Sequence, residues 1–183
     1  MKPKKKFRTM LTILFMSCAG MVMAGENLLG NPSFSWNDNK LYWQGLYRCT
    51  TNYYTAPACF SIASTTYWMN CYQDVAVYPE KFYSAAAWCK FVGTGSGVVE
   101  IRWYNAAGGQ VGSTGIVYPK IDVDWTYYER KKFAPPASAV KGRYYVAMAQ
   151  NYTATIFVDG GVFEEWVDPG TRVLPAGIVL LIP

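Results

Sequence analysis

Short runs of β-branched and aromatic residues recur along the chain, and Gly, Pro, Asn and Asp separate them. Helical periodicity is almost absent, so the pattern predicts an all-β sandwich or barrel in a single domain. The predicted strands are 46–48, 59–64, 70–77, 82–91, 98–104, 114–118, 126–133, 142–149, 154–158 and 162–166. A glycine-rich segment at 93–97 indicates a turn, which is consistent with a hairpin between the strands on either side of it.

Side chains on a strand alternate between its two faces, which sorts the residues of three predicted strands. Trp88 shares a face with a lysine and is therefore predicted to point outward, although the opposite register would put it in the core. Glu100, Arg102 and Tyr104 form the polar face of the strand after the turn, and Tyr145 lies beside two alanines. In a hairpin, Trp88 and this polar face would be neighbours.

The formal charge of +5 is concentrated at the start of the chain. Five basic residues lie in the first eight positions, and an apolar run to Ala24 follows them, so residues 1–24 are predicted to be a secretory signal peptide. A lipoprotein modified at Cys18 is the less favoured alternative, because the preceding residues fit a lipobox poorly. We therefore expect a secreted, periplasmic or cell-surface protein.

Residues 25–183 contain 12 basic and 12 acidic side chains and carry no net charge. A neutral chain lacks the basic surface that nucleic acids or anionic membranes require, so neither is expected as a partner. The chain has no histidine, which excludes Ser-His-Asp and Cys-His catalysis and histidine-ligated zinc. In the 167–183 tail, the apolar segment 177–182 is too short to span a bilayer, and the role of the tail is left open.

Four cysteines remain after the predicted signal peptide: Cys49, Cys59, Cys71 and Cys89. An even number in an exported protein predicts two disulfides. Of the three possible pairings, 49–59 with 71–89 is favoured because both loops are short. The alternative is four reduced, buried thiols.

Several segments, in the same order along the chain, have a recognisable pattern. Residues 26–34 read ENLLGNPSF and are soon followed by a tryptophan; later segments are QDVAVYP at 73–79, FYSAAAWCK at 82–90, VEIRWYN at 99–105, WTYY at 125–128, and TIFVD with VFE within 155–164. Together they resemble carbohydrate-binding modules of the CenC type, which include families 4, 9 and 22. The resemblance covers 26–166, so residues 25–166 are predicted to form the module.

The resemblance implies a β-sandwich jelly roll of two antiparallel sheets that binds a polysaccharide or a cell-surface glycan. Such modules usually accompany a glycoside hydrolase, so a separate hydrolase is an expected partner. Many also hold a structural calcium ion, for which the resemblance suggests Asp159 and, from its position, Glu26. The family's acidic residues at two further positions are replaced here by Ser35 and Gly160.

The aromatic and polar residues above match the chemistry of sugar recognition. An aromatic ring packs on the apolar face of a pyranose, and carboxylate and guanidinium groups bind its hydroxyls. The predicted glycan site is Trp88, Glu100, Arg102, Tyr104 and Tyr145. A rim site made by the aromatic residues of 42–54 with Tyr67 and Trp68 is the alternative location.

Three function classes remain. The favoured hypothesis is a secreted, non-catalytic carbohydrate-binding module. The alternative is a structural or adhesive module of the cell envelope that binds protein. A small glycoside hydrolase or lyase is less favoured, because it needs two carboxylates across a cleft and the sequence offers only Glu100 with Glu80 or Glu129.

Overall fold

The computed structural model describes residues 26–30, 32–33, 43–44, 48–50, 52–55, 59–65 and 67–167. The predicted signal peptide, Cys18 and the tail beyond Val167 lie outside the described residues, so these predictions stay predictions. Within the described ranges, no helix is long and apolar enough to cross a membrane.

Among the described residues, nine strands form two antiparallel sheets, which confirms the predicted all-β sandwich. The strands are β1 (Arg48–Cys49), β2 (Cys59–Ala63), β3 (Met69–Ala76), β4 (Tyr83–Thr94), β5 (Gly97–Tyr104), β6 (Gln110–Val117), β7 (Val123–Phe133), β8 (Lys141–Met148) and β9 (Thr153–Glu165). The five-stranded sheet has the order β1-β2-β9-β4-β7, and the four-stranded sheet has the order β3-β8-β5-β6. Neighbouring strands in both sheets therefore include pairs that are distant in sequence.

The predicted hairpin between β4 and β5 is wrong, because the two strands belong to different sheets. Both edges of β4 are paired, with β7 and β9, and both edges of β5 are paired, with β8 and β6. The glycine-rich turn instead carries the chain from one sheet to the other, and the N–H groups of Gly95 and Gly97 donate to the carbonyls of Lys120 and Pro119. Gly93 adopts a φ of 96°, which favours glycine.

The two strands predicted at 154–158 and 162–166 are one continuous strand, β9. The two glycines between them do not end the strand but accompany a register shift opposite β4, between Ala86 and Trp88. Gly160 has a φ of 55°, a conformation that glycine adopts easily. A glycine pair inside a strand is typical of a bulge, which the sequence alone did not separate from a turn.

The hydrophobic core lies between the inner faces of the two sheets. Its inward side chains on three strands follow the predicted alternation: Ala85, Ala87, Cys89 and Phe91 on β4; Val99, Ile101 and Trp103 on β5; and Tyr144, Val146 and Met148 on β8. On β9 the inward residues are Ile156, Val158 and Phe163, and the bulge changes the alternation between the last two. The small residues Ala85 and Ala87 of β4 belong to the same buried cluster as the large Trp103 and Tyr144 of the opposite sheet.

No disulfide joins any of the four cysteines in the structure. Cys49 and Cys59 are direct cross-strand partners on β1 and β2, and their side chains are hydrogen-bonded. Cys71 and Cys89 are buried in the core, on opposite sheets. Burial raises the pKa of the Cys89 thiol to about 12, which disfavours the reactive thiolate. Both disulfides stay predictions, and 49–59 is the pair that the strand register places together.

We expect Phe163→Ala to lower the free energy of unfolding by about 3–5 kcal/mol, because it leaves a cavity in the core. The Phe163 ring lies 5.5 Å from that of Tyr83 and 6.2 Å from that of Trp103, centroid to centroid. The matched control is Phe82→Ala, since the Phe82 side chain is 46% exposed and should cost about 1 kcal/mol or less. Urea unfolding measures both, and equal losses would contradict this account of the core.

We expect oxidised glutathione to join Cys49 and Cys59 by thiol–disulfide exchange while Cys71 and Cys89 stay reduced. The first pair is in contact and Cys49 is partly exposed, whereas the second pair is buried. Alkylation of the remaining thiols followed by peptide mass mapping identifies the linked peptides. A 71–89 linkage formed before 49–59 would contradict the prediction.

Candidate functional site

The structure separates the five predicted ligand residues into two groups. Glu100, Arg102 and Tyr104 on β5 and Tyr145 on β8 share the outer face of the four-stranded sheet. The Trp88 side chain, on β4, lies on the outer face of the five-stranded sheet and therefore on the opposite side of the sandwich. The predicted adjacency of Trp88 to Glu100, Arg102 and Tyr104 is therefore wrong, for the same reason as the hairpin.

A row of aromatic and acidic side chains crosses the outer face of the four-stranded sheet. Tyr145 is the direct partner of Tyr72 on β3 and of Glu100 on β5. At the far end, Glu100 pairs with Gly115 on β6, and a Cβ at that glycine would collide with the ring of Tyr118. The absence of a side chain there lets Tyr118 lie over the sheet.

Hydrogen bonds attach two further aromatic residues to this row. Tyr118 donates its hydroxyl to Glu100 Oε2 at 2.9 Å, and Trp68 donates its indole N–H to the Tyr145 hydroxyl at 2.9 Å. Burial, reinforced by the Glu100 carboxylate, raises the pKa of Tyr118 to about 12, so its hydroxyl is a donor at neutral pH. The row consequently ends in an exposed aromatic ring on either side, Trp68 at 46% and Tyr118 at 53% exposure.

A second, charged row lies next to the first. Arg143 on β8 is the direct partner of Asp74 on β3 and of Arg102 on β5. Arg143 donates to both Asp74 oxygens, at 2.6 and 3.0 Å, and Lys141 Nζ lies 2.9 Å from Asp74 Oδ2. Arg102 Nε donates to Glu100 Oε1 at 2.6 Å. Each guanidinium is thus fixed by a carboxylate.

The two rows interlock because each guanidinium stacks on a tyrosine ring. The Arg102 Cζ atom lies 3.4 Å from the centre of the Tyr145 ring, and Arg143 Cζ lies 3.7 Å from that of Tyr72. Cation–π contacts of this kind hold a planar group at a fixed height above the sheet. The face is therefore a rigid layer of guanidiniums and carboxylates over tyrosines.

The stacking corrects one expectation. Tyr145 was predicted to be a glycan-binding residue, but Arg102 covers its ring and only 4% of the residue is exposed. Glu100 is also buried, at 7%. Along this row, Trp68, which belongs to the alternative rim set, and Tyr118, which sequence reasoning missed, have accessible rings. The signal for Tyr118 was a glycine within a predicted strand, three residues before an aromatic residue.

Trp88 is covered by an aromatic residue of the segment before β2. The Tyr54 ring stacks on Trp88 with centroids 3.7 Å apart and planes 17° from parallel, and Tyr127 lies 5.3 Å from Trp88. Thr55 next to Tyr54 donates its N–H to Asp159 Oδ2 at 2.6 Å, which ties this segment to β9. Trp88 points outward as predicted, but one face of its ring is occupied.

The carboxylate of Asp159, the predicted calcium ligand, accepts hydrogen bonds from the backbone in this structure. Its oxygens accept the N–H groups of Thr55 and Gly160, and the residue is fully buried. Burial raises the pKa of Asp159, while those N–H donors act in the opposite direction. Glu26 is exposed, and the described residues include no group of three or more acidic, cysteine or histidine residues that could hold a metal. Calcium binding by Asp159 and Glu26 therefore stays an untested prediction.

An open cleft of about 240 Å³ lies elsewhere, along β4 and β7 of the five-stranded sheet. It is lined by Lys90, Phe91, Val92, Asp122, Val123 and Asp124. The polar side chains of the cleft already have partners, because Lys90 forms an ion pair with Asp124 and Asp122 accepts a hydrogen bond from the Gly93 N–H. No exposed aromatic ring lines it, so it lacks the platform that a sugar needs.

No protein-family model and no curated protein sequence matches the chain. Its fold is similar to the CBM22-1 xylan-binding domain of Paenibacillus barcinonensis Xyn10C, with a TM-score of 0.59, 13% identity, and coverage of 78% of this chain and 96% of that domain. It is also similar to a family 16 carbohydrate-binding module, with a TM-score of 0.56, 16% identity, and coverage of 75% and 99%.

A third similar structure is the enzymatically active domain of tailspike protein 4 of bacteriophage CBA120, with a TM-score of 0.57 and 17% identity. The match covers 76% of this chain but only 21% of the tailspike chain. Identities this low establish a shared fold and nothing more. The chain thus has the β-sandwich fold found in carbohydrate-binding modules, and the same fold occurs as one part of larger enzymes.

We expect Asp74→Asn to destabilise the protein at pH 7 and to do so less as the pH falls. Burial favours the neutral acid, but Arg143 and Lys141 outweigh it and lower the pKa of Asp74 below its ordinary value of 3.8. A carboxyl group with a lowered folded-state pKa stabilises the fold above its unfolded pKa and loses that effect as pH falls through the folded value. Urea unfolding of the unaltered protein and of Asp74→Asn, from neutral to acidic pH, tests this prediction. A difference in unfolding free energy that grows as the pH falls would contradict it.

Proposed function

We propose that the protein is a secreted, non-catalytic carbohydrate-binding module, of the CenC type or a near relative, that binds a polysaccharide on the outer face of its four-stranded sheet. The observation that carries this proposal is the row that ends in Trp68 and Tyr118, with Tyr145 and Glu100 between them. Exposed rings at both ends provide platforms for pyranose rings, and fixed polar groups between them can bind hydroxyls.

The rigidity of this face supports binding rather than turnover. Glycoside hydrolysis requires one carboxyl group that is protonated near neutral pH and a second one placed across the bond. Asp74 has a lowered pKa and is paired with two cations, and Glu100 is paired with Arg102 and Tyr118. Neither carboxyl group is therefore suited to act as a general acid. Hydrolysis of the bound glycan would fall to a separate glycoside hydrolase.

Export is the remaining part of the proposal. It rests on the signal-peptide pattern of residues 1–24 and on the position of Cys49 beside Cys59, which suits an oxidising compartment. A structural or adhesive module that binds protein would use the same exposed rings. Glycan binding is what separates the two hypotheses.

We expect the full chain to be retarded in native gels that contain one or more soluble polysaccharides, and Trp68→Ala and Tyr118→Ala each to reduce that retardation at least about tenfold in apparent affinity. Both substitutions remove an exposed ring from the row. Thermal unfolding of each variant checks that the fold is intact.

The matched control is Tyr127→Ala. Tyr127 is 45% exposed, close to the exposure of Tyr118, but lies on the five-stranded sheet. Retardation should survive this change. If Tyr127→Ala abolishes retardation and the other two variants do not, the site belongs to the opposite face. No retardation across a broad panel of polysaccharides would contradict glycan binding and favour the protein-binding alternative.

A further inference from the structure

Two arginines face each other at the centre of the proposed binding surface. Arg102 and Arg143 are direct partners on the two central strands of the four-stranded sheet, β5 and β8. Like charges opposite each other in a sheet destabilise it, so such a pair requires compensation. Glu100 and Asp74 supply that compensation from either side.

The compensation is incomplete because one carboxylate serves two cations. Asp74 accepts both hydrogen bonds from Arg143 and also pairs with Lys141, whereas Glu100 pairs with Arg102 alone among the cations. The trio of Asp74, Arg143 and Lys141 therefore carries one positive charge in excess. It is also shielded from water, since 19% of the Arg143 side chain and 35% of the Lys141 side chain are exposed. A partly desolvated charge attracts an anion more strongly than a fully exposed one.

An aromatic ring lies beside this excess charge. Lys141 Nζ is 5.1 Å, and Arg143 Cζ 4.7 Å, from the centre of the Tyr104 ring, which is half-buried. Lys141 is the direct cross-strand partner of Tyr104. The ammonium group has three N–H donors, of which the Asp74 contact uses one. A sugar ring at Tyr104 would thus place a substituent within reach of unused cationic donors.

We propose that the ligand is an acidic polysaccharide, and that the carboxylate of a uronic acid residue binds Lys141 and Arg143 while its ring lies at Tyr104. This inference rests on the proposed function and specifies its ligand class. Stacking on Tyr72 fixes the plane of the Arg143 guanidinium, and its contacts with Asp74 use the N–H of Nε and one N–H of a terminal nitrogen, which leaves the other terminal N–H donors for the ligand. A planar carboxylate matches these donors better than a neutral hydroxymethyl group does.

The first test compares polymers that differ only at the carboxyl group. Polygalacturonate, alginate and glucuronoxylan are each titrated into the full chain, in parallel with their carboxyl-reduced derivatives, and affinity is measured by calorimetry at two salt concentrations. At least one acidic polymer should bind about tenfold or more tightly than its reduced form, and the difference should shrink at high salt.

The second test changes the charge of the chain. Lys141→Gln should weaken binding of the acidic polymer by about tenfold or more and should weaken binding of the reduced polymer by a clearly smaller factor. The control Lys131→Gln changes net charge equally, but Lys131 pairs with Glu129 on the five-stranded sheet and should have little effect.

The outcomes distinguish this inference from the function on which it rests. Equal or tighter binding of the reduced polymers, or equal losses in the two lysine variants, would overturn the acidic ligand while glycan binding stands. Binding of none of these polymers, together with no retardation by any neutral polysaccharide, would overturn both. The polymer comparison uses the unaltered chain, so it decides the matter even if Lys141→Gln fails to fold.

Discussion

A buried hydrogen bond between the two sheets constrains the register of the central strand β8. Tyr144, on β8, is completely buried, and its hydroxyl donates to the carbonyl of Ala86 on β4 at 2.9 Å. The bond lies where the register between β4 and β9 shifts, at the bulge that includes Gly160. A buried hydroxyl or carbonyl without a partner is costly, so the bulge and the tyrosine satisfy each other.

This bond also fixes the candidate site. Because Tyr144 must face inward to reach Ala86, its neighbours Arg143 and Tyr145 must face outward. A slip of one residue along β8 would exchange the two sets and bury the charged row in the core. The position of the charged row on the outer face of the sheet therefore follows from the inward position of Tyr144 on the same strand.

The sequence predicted the fold class and most strands because alternation and turn residues act locally. It also placed Glu100, Arg102 and Tyr104 on one face of one strand and Tyr145 on one face of another strand. The structure brings these four residues together on the same face of one sheet. It failed where pairing between distant segments decides the result. Glycines at 93–97 favour a turn in either a hairpin or a crossover between sheets, and only the competition of β7, β8 and β9 for the strand edges selects the crossover.

The remaining errors concern side-chain contacts across strands. Nothing in the local sequence indicates that Arg102 lies on Tyr145 or that Tyr54 covers Trp88, because each contact joins residues far apart in the chain. Tyr118 reaches Glu100 only because Gly115 leaves room on a neighbouring strand. Exposure of an aromatic ring is thus set by its tertiary neighbours, whereas its face on the strand is set by sequence.

Stacking on tyrosines has a thermodynamic consequence for Arg102 and Arg143. A long, unattached arginine loses rotamer freedom when it binds a ligand, and that loss opposes association. Here the loss occurs during folding, since Tyr72 and Tyr145 already hold both guanidiniums in place. In the proposed complex these two rings would therefore contribute to affinity through conformational entropy, without having to contact the ligand themselves.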